Sequence, residues 1–154
     1  MRRFVKDTRG SAVIWTLFLI LIFFTLTFIV YTGVTVYAKY QTCETELERA
    51  VIITVDTGLL NANVRDLELD IPAVSAHSLL EDNLVESGWT KEDGNWVKRD
   101  VGKLIYALED MQMKVAEKTM RIDALFTMPM PWQIDGIDKI HIPIKVLSSV
   151  LYIE

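Results

Sequence analysis

The sequence predicts an α+β protein: a long N-terminal transmembrane helix that extends into a small exterior domain built on an antiparallel sheet. Three observations predict it. No charged residue occurs from Ser11 to Ala38. Apolar residues then recur every four positions from Leu47 to Leu59, and near the C-terminus they alternate with polar ones at period two. At 154 residues the chain has room for one small domain besides a membrane segment, so three parts are expected. These are a basic leader at 1–10, a transmembrane helix at 11–38 and an exterior α+β domain at 39–154.

The hydrophobic share of 51% matters less than its distribution. Val13 to Val36 is dominated by Leu, Ile, Phe, Val and Thr, and about 20 such residues suffice to cross the hydrocarbon layer. A buried helix of so small a domain is seldom apolar all round. Charge sets the expected orientation. Arg2, Arg3, Lys6 and Arg9 stand against Asp7 before the segment, whereas Lys39 is the only basic residue after it until Arg49. The positive-inside bias therefore puts the N-terminus in the cytoplasm and the C-terminus outside. Trp15 falls near the inner interface and Tyr31, Tyr37 and Tyr40 near the outer one. Membrane lipid is the first partner implied. A competing reading takes Val36-Tyr37-Ala38 as a signal-peptidase site that releases 39–154, but the apolar run is much longer than the ~7–15 residues of a secretory h-region.

Arg9-Gly10-Ser11-Ala12-Val13, a short basic leader ending in glycine and leading into the apolar helix, resembles the processing site of type IV pilins. More specifically it resembles TadE-like pseudopilins of tight-adherence systems. The resemblance is close over about the first 40 residues and general beyond them. It implies cleavage between Gly10 and Ser11 by a prepilin peptidase, and a mature helix that packs with like subunits into a surface filament or secretion apparatus. One position departs from the family. Counting from Ser11, Trp15 holds the fifth mature place, where the family has a glutamate thought to meet a neighbour's N-terminal amine, a pair of high value in a low-dielectric bilayer. The resemblance thus carries over for processing and not for growth as a major pilin. The alternative is an uncut signal-anchored surface binding module, in which Gly10 is an interfacial glycine and Ser11 a local cap.

In the exterior part, Leu47, Val51, Val55 and Leu59 form one helical stripe, with a break or bend expected at Gly58. Asp66 to Ile71 alternates as a short strand ended by Pro72, and its acidic residues lack the glycine and distal glutamate of a calcium loop. Ser75 to Glu86 suits a helix with Leu79, Leu80 and Leu84 inward and Gly88 at its end. Asp93-Gly94 signals a hairpin across which Trp89 and Trp96 pack, an aromatic binding cleft being the alternative. Asp100 is expected to cap a helix whose face carries Leu104, Ile105, Leu108 and Met111. Met120 to Met128 is more strand-like, and the prolines of Met128-Pro129-Met130-Pro131-Trp132 imply an irregular connection. Ile140, Ile142, Ile144 and Val146 alternate as the clearest strand. Pro143 assigns it to a sheet edge or a bulge, and Val150 to Ile153 extends it or pairs with it.

Chemistry-bearing patterns are sparse. Residues 39–154 hold 12 basic and 20 acidic side chains, a balance of −8 that opposes nucleic-acid binding. His77 and His141 have no metal-ligand spacing with each other or with Cys43. Gly102-Lys103 lacks the spacing of a phosphate loop, and neither a serine elbow nor a Cys/His dyad is present. Cys43 reads as an inert, partly buried thiol, or as an intermolecular crosslink just outside the bilayer. No enzyme activity, cofactor, metal or small-molecule substrate is expected. The threonines at 25, 27, 32 and 35, with Gly33, are candidates for helix–helix packing, unless their hydroxyls simply bond back to their own helix.

Overall fold

A computed structural model describes residues 8–61, 73–116, 119–134 and 137–149. The chain divides into two compact units, Met1–Ala38 and Lys39–Glu154. Helix α1 (Thr8–Asn61) supplies the described residues of the first unit, and its later turns belong to the second. The remaining elements are α2 (Ala73–Glu86), β1 (Trp89–Glu92), β2 (Asn95–Asp100), β3 (Lys103–Ala116), β4 (Thr119–Ile134) and β5 (Ile137–Ser149). The expected α+β class holds: the second unit is an open five-stranded antiparallel meander, in the order β1-β2-β3-β4-β5, with helices on one face.

In the second unit, the later turns of α1 present Cys43, Leu47, Ala50, Val51 and Val55, all buried, to the sheet. Burial of this stripe outweighs the poor helix propensity of its β-branched residues. Of the break or bend expected at Gly58, the break does not occur, since the helix continues to Asn61. One glycine costs about 1 kcal/mol in a helix interior, too little to stop it. The side chain of Leu59 and the strand expected at 66–71 lie outside the described residues. Helix α2 buries Ala76, Leu80 and Leu84 and leaves Leu79 half-buried. It ends as expected at Gly88, whose φ of +82° suits a residue without Cβ.

The β1–β2 hairpin closes on Asp93 and Gly94, with φ of 49° and 84°, the left-handed pair of a type I′ turn. That two-residue loop fixes the register. Trp89 is opposite Lys98 and Trp96 opposite Lys91, so the indoles are diagonal neighbours on one face of the hairpin rather than directly opposed. Each lysine ammonium stands over the opposing strand's indole instead, Lys91 at 5.6 Å from the Trp96 centroid and Lys98 at 5.7 Å from that of Trp89. Both rings are buried, in core rather than in a cleft.

The helix expected from Asp100 is a strand. Asp100 pairs with Lys103 across a second tight turn, Val101-Gly102, with φ of 47° and 78°. Leu, Ala, Glu, Met and Lys make 103–116 a good helix by propensity, but β2 on one side and β4 on the other supply ladder bonds and a buried face that propensity cannot match. An extra residue in β3 between Glu109 and Gln112 shifts its pairing with β4, and Asp110 there has φ of 50°. Val101 is fully exposed and β-branched, in a conformation that costs such residues about 1–2 kcal/mol. Val101→Asn, which restores the Asn-Gly pair that type I′ turns prefer, is expected to raise unfolding free energy by about 1 kcal/mol, measured as an upward shift of the urea midpoint.

Strand β4 is as expected over Met120–Met128 but runs on through Pro129 and Pro131, where an irregular connection was expected. The prolines are tolerated because β3 pairs with β4 only as far as Thr127, and pairing with β5 turns irregular after Pro129. Among the described residues strand β5 is the sheet edge that Pro143 implied, with Ile144 and Val146 buried. Residues 150–153 lie outside the described residues. The core forms where α1 and α2 cover one sheet face. Phe126, fully buried, stacks edge-on to Tyr40 at 5.6 Å and tilts against Tyr106 at 5.8 Å.

Candidate functional site

From Ala12 to Ala38 the first unit presents a surface that is almost wholly apolar. Through Ala38, eighteen large apolar side chains of α1 are exposed, from 38% at Ile22 to 70% at Phe23 and Phe24. Leu, Ile and Phe favour helix or tolerate it, and the absence of charge from Ser11 to Ala38 leaves no polar face to turn toward water. At about 1.5–3 kcal/mol per side chain, leaving these in water costs on the order of 30 kcal/mol, more than a folded domain's whole stability. By length and composition, the helix from Ala12 to Thr57 is sufficient to cross a membrane.

Threonine is the main polar residue along this surface, and the helix satisfies it internally. The hydroxyls of Thr16, Thr25, Thr27, Thr32 and Thr35 each donate to the carbonyl four residues earlier at 2.9 Å. Their donors are therefore spent within α1, the second of the two roles weighed for them from sequence. Such bonding lowers the cost of holding a hydroxyl in an apolar medium. Gly33 leaves open space where a Cβ would stand. Gly10 and Ser11 lie in the first turns of α1, which begins at Thr8. Ser11 is thus inside the helix rather than its cap.

In the second unit, the side chain that sequence reasoning missed is Glu46. It sits beside the buried stripe, between Cys43 and Leu47, and accepts from Lys98 at 3.0 Å and from the Tyr106 hydroxyl at 3.3 Å. Lys98 also donates to the Ser87 carbonyl at 2.6 Å. This clamp ties α1, the end of α2 and β2 together, and an acid on an apolar stripe was the signal for it. Burial, with Glu46 close by, raises the Tyr106 phenol above its usual range. A cleft of about 400 Å³ adjoins the clamp, lined by Glu46, Arg49, Ile53, Asn83, Glu86 and Ser87. Beside it Asn83 donates to the Thr54 hydroxyl at 2.9 Å, and that buried hydroxyl donates on to the Ala50 carbonyl. Glu46 already accepts from two donors, so the arrangement holds elements together rather than presenting a free base.

Cys43 is fully buried, as the inert reading expected, and a crosslink would need access that it lacks. Burial first, then Glu46 and Glu44 against the opposing Lys98, push its thiol up to about 12. The folded thiol keeps its proton where an unfolded one, at 9.0, loses it. Its contribution to stability is therefore complete below 9.0 and is lost as pH rises toward about 12. Cys43→Ala is expected to flatten this alkaline loss, compared by urea unfolding at pH 7 and at about pH 10.5. Wild-type Cys43 is expected to resist alkylation until denaturant is added.

His77 is exposed on α2, 3.6 Å from Glu81. His141 is on the other side of the sheet, its Nδ1 3.0 Å from the Thr127 hydroxyl and 4.0 Å from Glu109. The two histidines are not brought together. Among the described residues no group of three or more His, Cys, Asp or Glu is arranged to hold a metal ion. No family model matches the chain, and no curated protein or solved structure is significantly similar to it.

Proposed function

We propose that this chain is a membrane-anchored, pilin-like assembly subunit. Residues 11–38 cross the bilayer, the N-terminus is cytoplasmic and the α+β domain lies outside. The observation that carries the reading is the uncharged stretch 11–38 of the first unit, with eighteen exposed apolar side chains and hydroxyls bonded back into the helix. Lipid is the medium in which that surface is stable. The four basic residues before it support the orientation. The Arg9-Gly10-Ser11-Ala12 leader supports processing by a prepilin peptidase between Gly10 and Ser11. A long helix whose later turns cover one face of an antiparallel sheet agrees with the general build that the resemblance implies. The work of such a subunit is association with like subunits in a surface filament or secretion apparatus.

A second reading, an uncut anchor carrying a surface binding module, is favoured by two observations. Gly10 and Ser11 are within helix α1, and Trp15 replaces the family's glutamate. Release after Ala38 draws no support from a helix that continues through that point. Fractionation with intact-mass measurement tests all three. A membrane-bound chain lacking residues 1–10 is the expected result. A membrane-bound chain of full mass supports the uncut anchor, and loss of 1–38 with a soluble product overturns the anchor altogether.

A further inference from the structure

The second unit carries a basic strip on one face, beside Asp123, and an excess of carboxylates on its helices. On the sheet face opposite the helices, Lys114 of β3 is directly opposite Arg121 of β4, and Arg121 is opposite Leu147 of β5. In the next row Asp123 is opposite Lys145. Like charges directly opposed across strands destabilise a sheet. Here the carboxylate that eases the pair is Asp123, held by Arg121 at 3.0 Å, while Lys114 and Lys145 make no ion pair among the described residues. Leu147, 69% exposed, adds an apolar contact to this basic strip.

The helical face is opposite in sign. From Lys39 to Asn61 and through α2 there are seven carboxylates and two cations, Lys39 and Arg49. Glu46 and Glu81 are engaged by strand lysines, Lys98 and Lys91. Glu48, Asp56, Asp82 and Glu86 are exposed and make no ion pair among the described residues. Ile52 and Val85, 50% and 58% exposed, lie among them.

We infer that the Lys114–Arg121–Lys145 face of one copy docks on the acidic helical face of a second copy, head to tail. Charge complementarity identifies the occupant: the chain itself carries the acidic, partly apolar surface that this basic, partly apolar strip fits. The contact is heterologous, so each docked copy keeps one face free and the row extends without closing. This inference rests on the reading of the chain as an assembly subunit and names the surfaces that associate. It also requires that association weaken with salt, because the charges are exposed.

The test uses full-length chains carrying two different tags, co-expressed in membranes and treated with a zero-length amine–carboxylate crosslinker. Pull-down through one tag, followed by peptide mass spectrometry, is expected to find Lys114 or Lys145 joined to Glu48, Asp56, Asp82 or Glu86 of the other copy. K114E/R121E and D82K/E86K are each expected to lower the yield about tenfold, and the fourfold variant to restore it. K114Q/R121Q repeats the first comparison without introduced repulsion, and tryptophan fluorescence confirms the fold of each variant. Undiminished yield in the single-face variants, or no recovery in the folded fourfold variant, overturns the docking. So does a basic face that crosslinks only to a different acidic protein, or binds only anionic lipid headgroups. Mature mass and membrane retention are read on the same samples. A membrane-held chain without crosslinks overturns the docking alone, whereas a soluble chain overturns the anchor.

Discussion

Aspartates at Ile20 and Phe24 together are expected to abolish stable retention of the chain in alkali-washed membranes. Both positions lie near the middle of the 11–38 stretch, one helical turn apart on the same side of α1. At about 1.5 Å per residue that stretch is about 42 Å long, so in the proposed crossing these residues fall well inside a hydrocarbon layer of about 30 Å. A carboxylate at such a depth costs about 2.5–3.5 kcal/mol, and two cost about 5–7 kcal/mol, a shift in partition of more than a thousandfold. Alanines at the same positions remove apolar area but add no charge, and they are expected to leave retention intact. Retention of the double aspartate variant equal to wild type would show that α1 does not meet lipid at this depth.

The second large effect is in the domain core. Phe126→Ala is expected to destabilise the second unit by about 3–5 kcal/mol, a large part of the 5–15 kcal/mol that holds a typical domain together. Phe126 has no exposed surface and contacts Tyr40 of α1 on one side and Tyr106 of β3 on the other. Its removal leaves a cavity where the helix meets the sheet. Urea unfolding followed by tryptophan fluorescence measures the loss, since Trp89 and Trp96 are buried in the same core. Phe126→Leu keeps much of the volume and is expected to lose less than half as much. An unchanged midpoint in the alanine variant would mean that α1 is not held on the sheet by this contact.

The α1 stripe and the β5 edge were legible in the sequence because each rests on a period and on one decisive residue type. Leu47, Val51 and Val55 repeat every four positions and are buried together, and Pro143 lacks the donor that a central strand requires. The Asp93-Gly94 turn was equally legible, since few dipeptides accept two left-handed residues in succession. What that turn does to Trp89 and Trp96 was not. A two-residue loop sets which residues face each other, and counting from it puts the indoles on a diagonal and a lysine opposite each.

Solvation explains why the apolar helix of the first unit could be read from its order along the chain. Whether a side chain prefers water or hydrocarbon depends on its own atoms, so an uncharged stretch declares its preference without reference to its neighbours in space. For residues 103–116 the local and the long-range preferences disagree, and the fold follows the long-range one. Helix propensity there is worth a few tenths of a kcal/mol per residue, whereas pairing with β2 and β4 buries Tyr106 and Leu108 and satisfies the backbone on both sides. The Glu46–Lys98 clamp and the separation of basic and acidic faces arise the same way, from residues distant in sequence that meet only once the sheet has folded against α1.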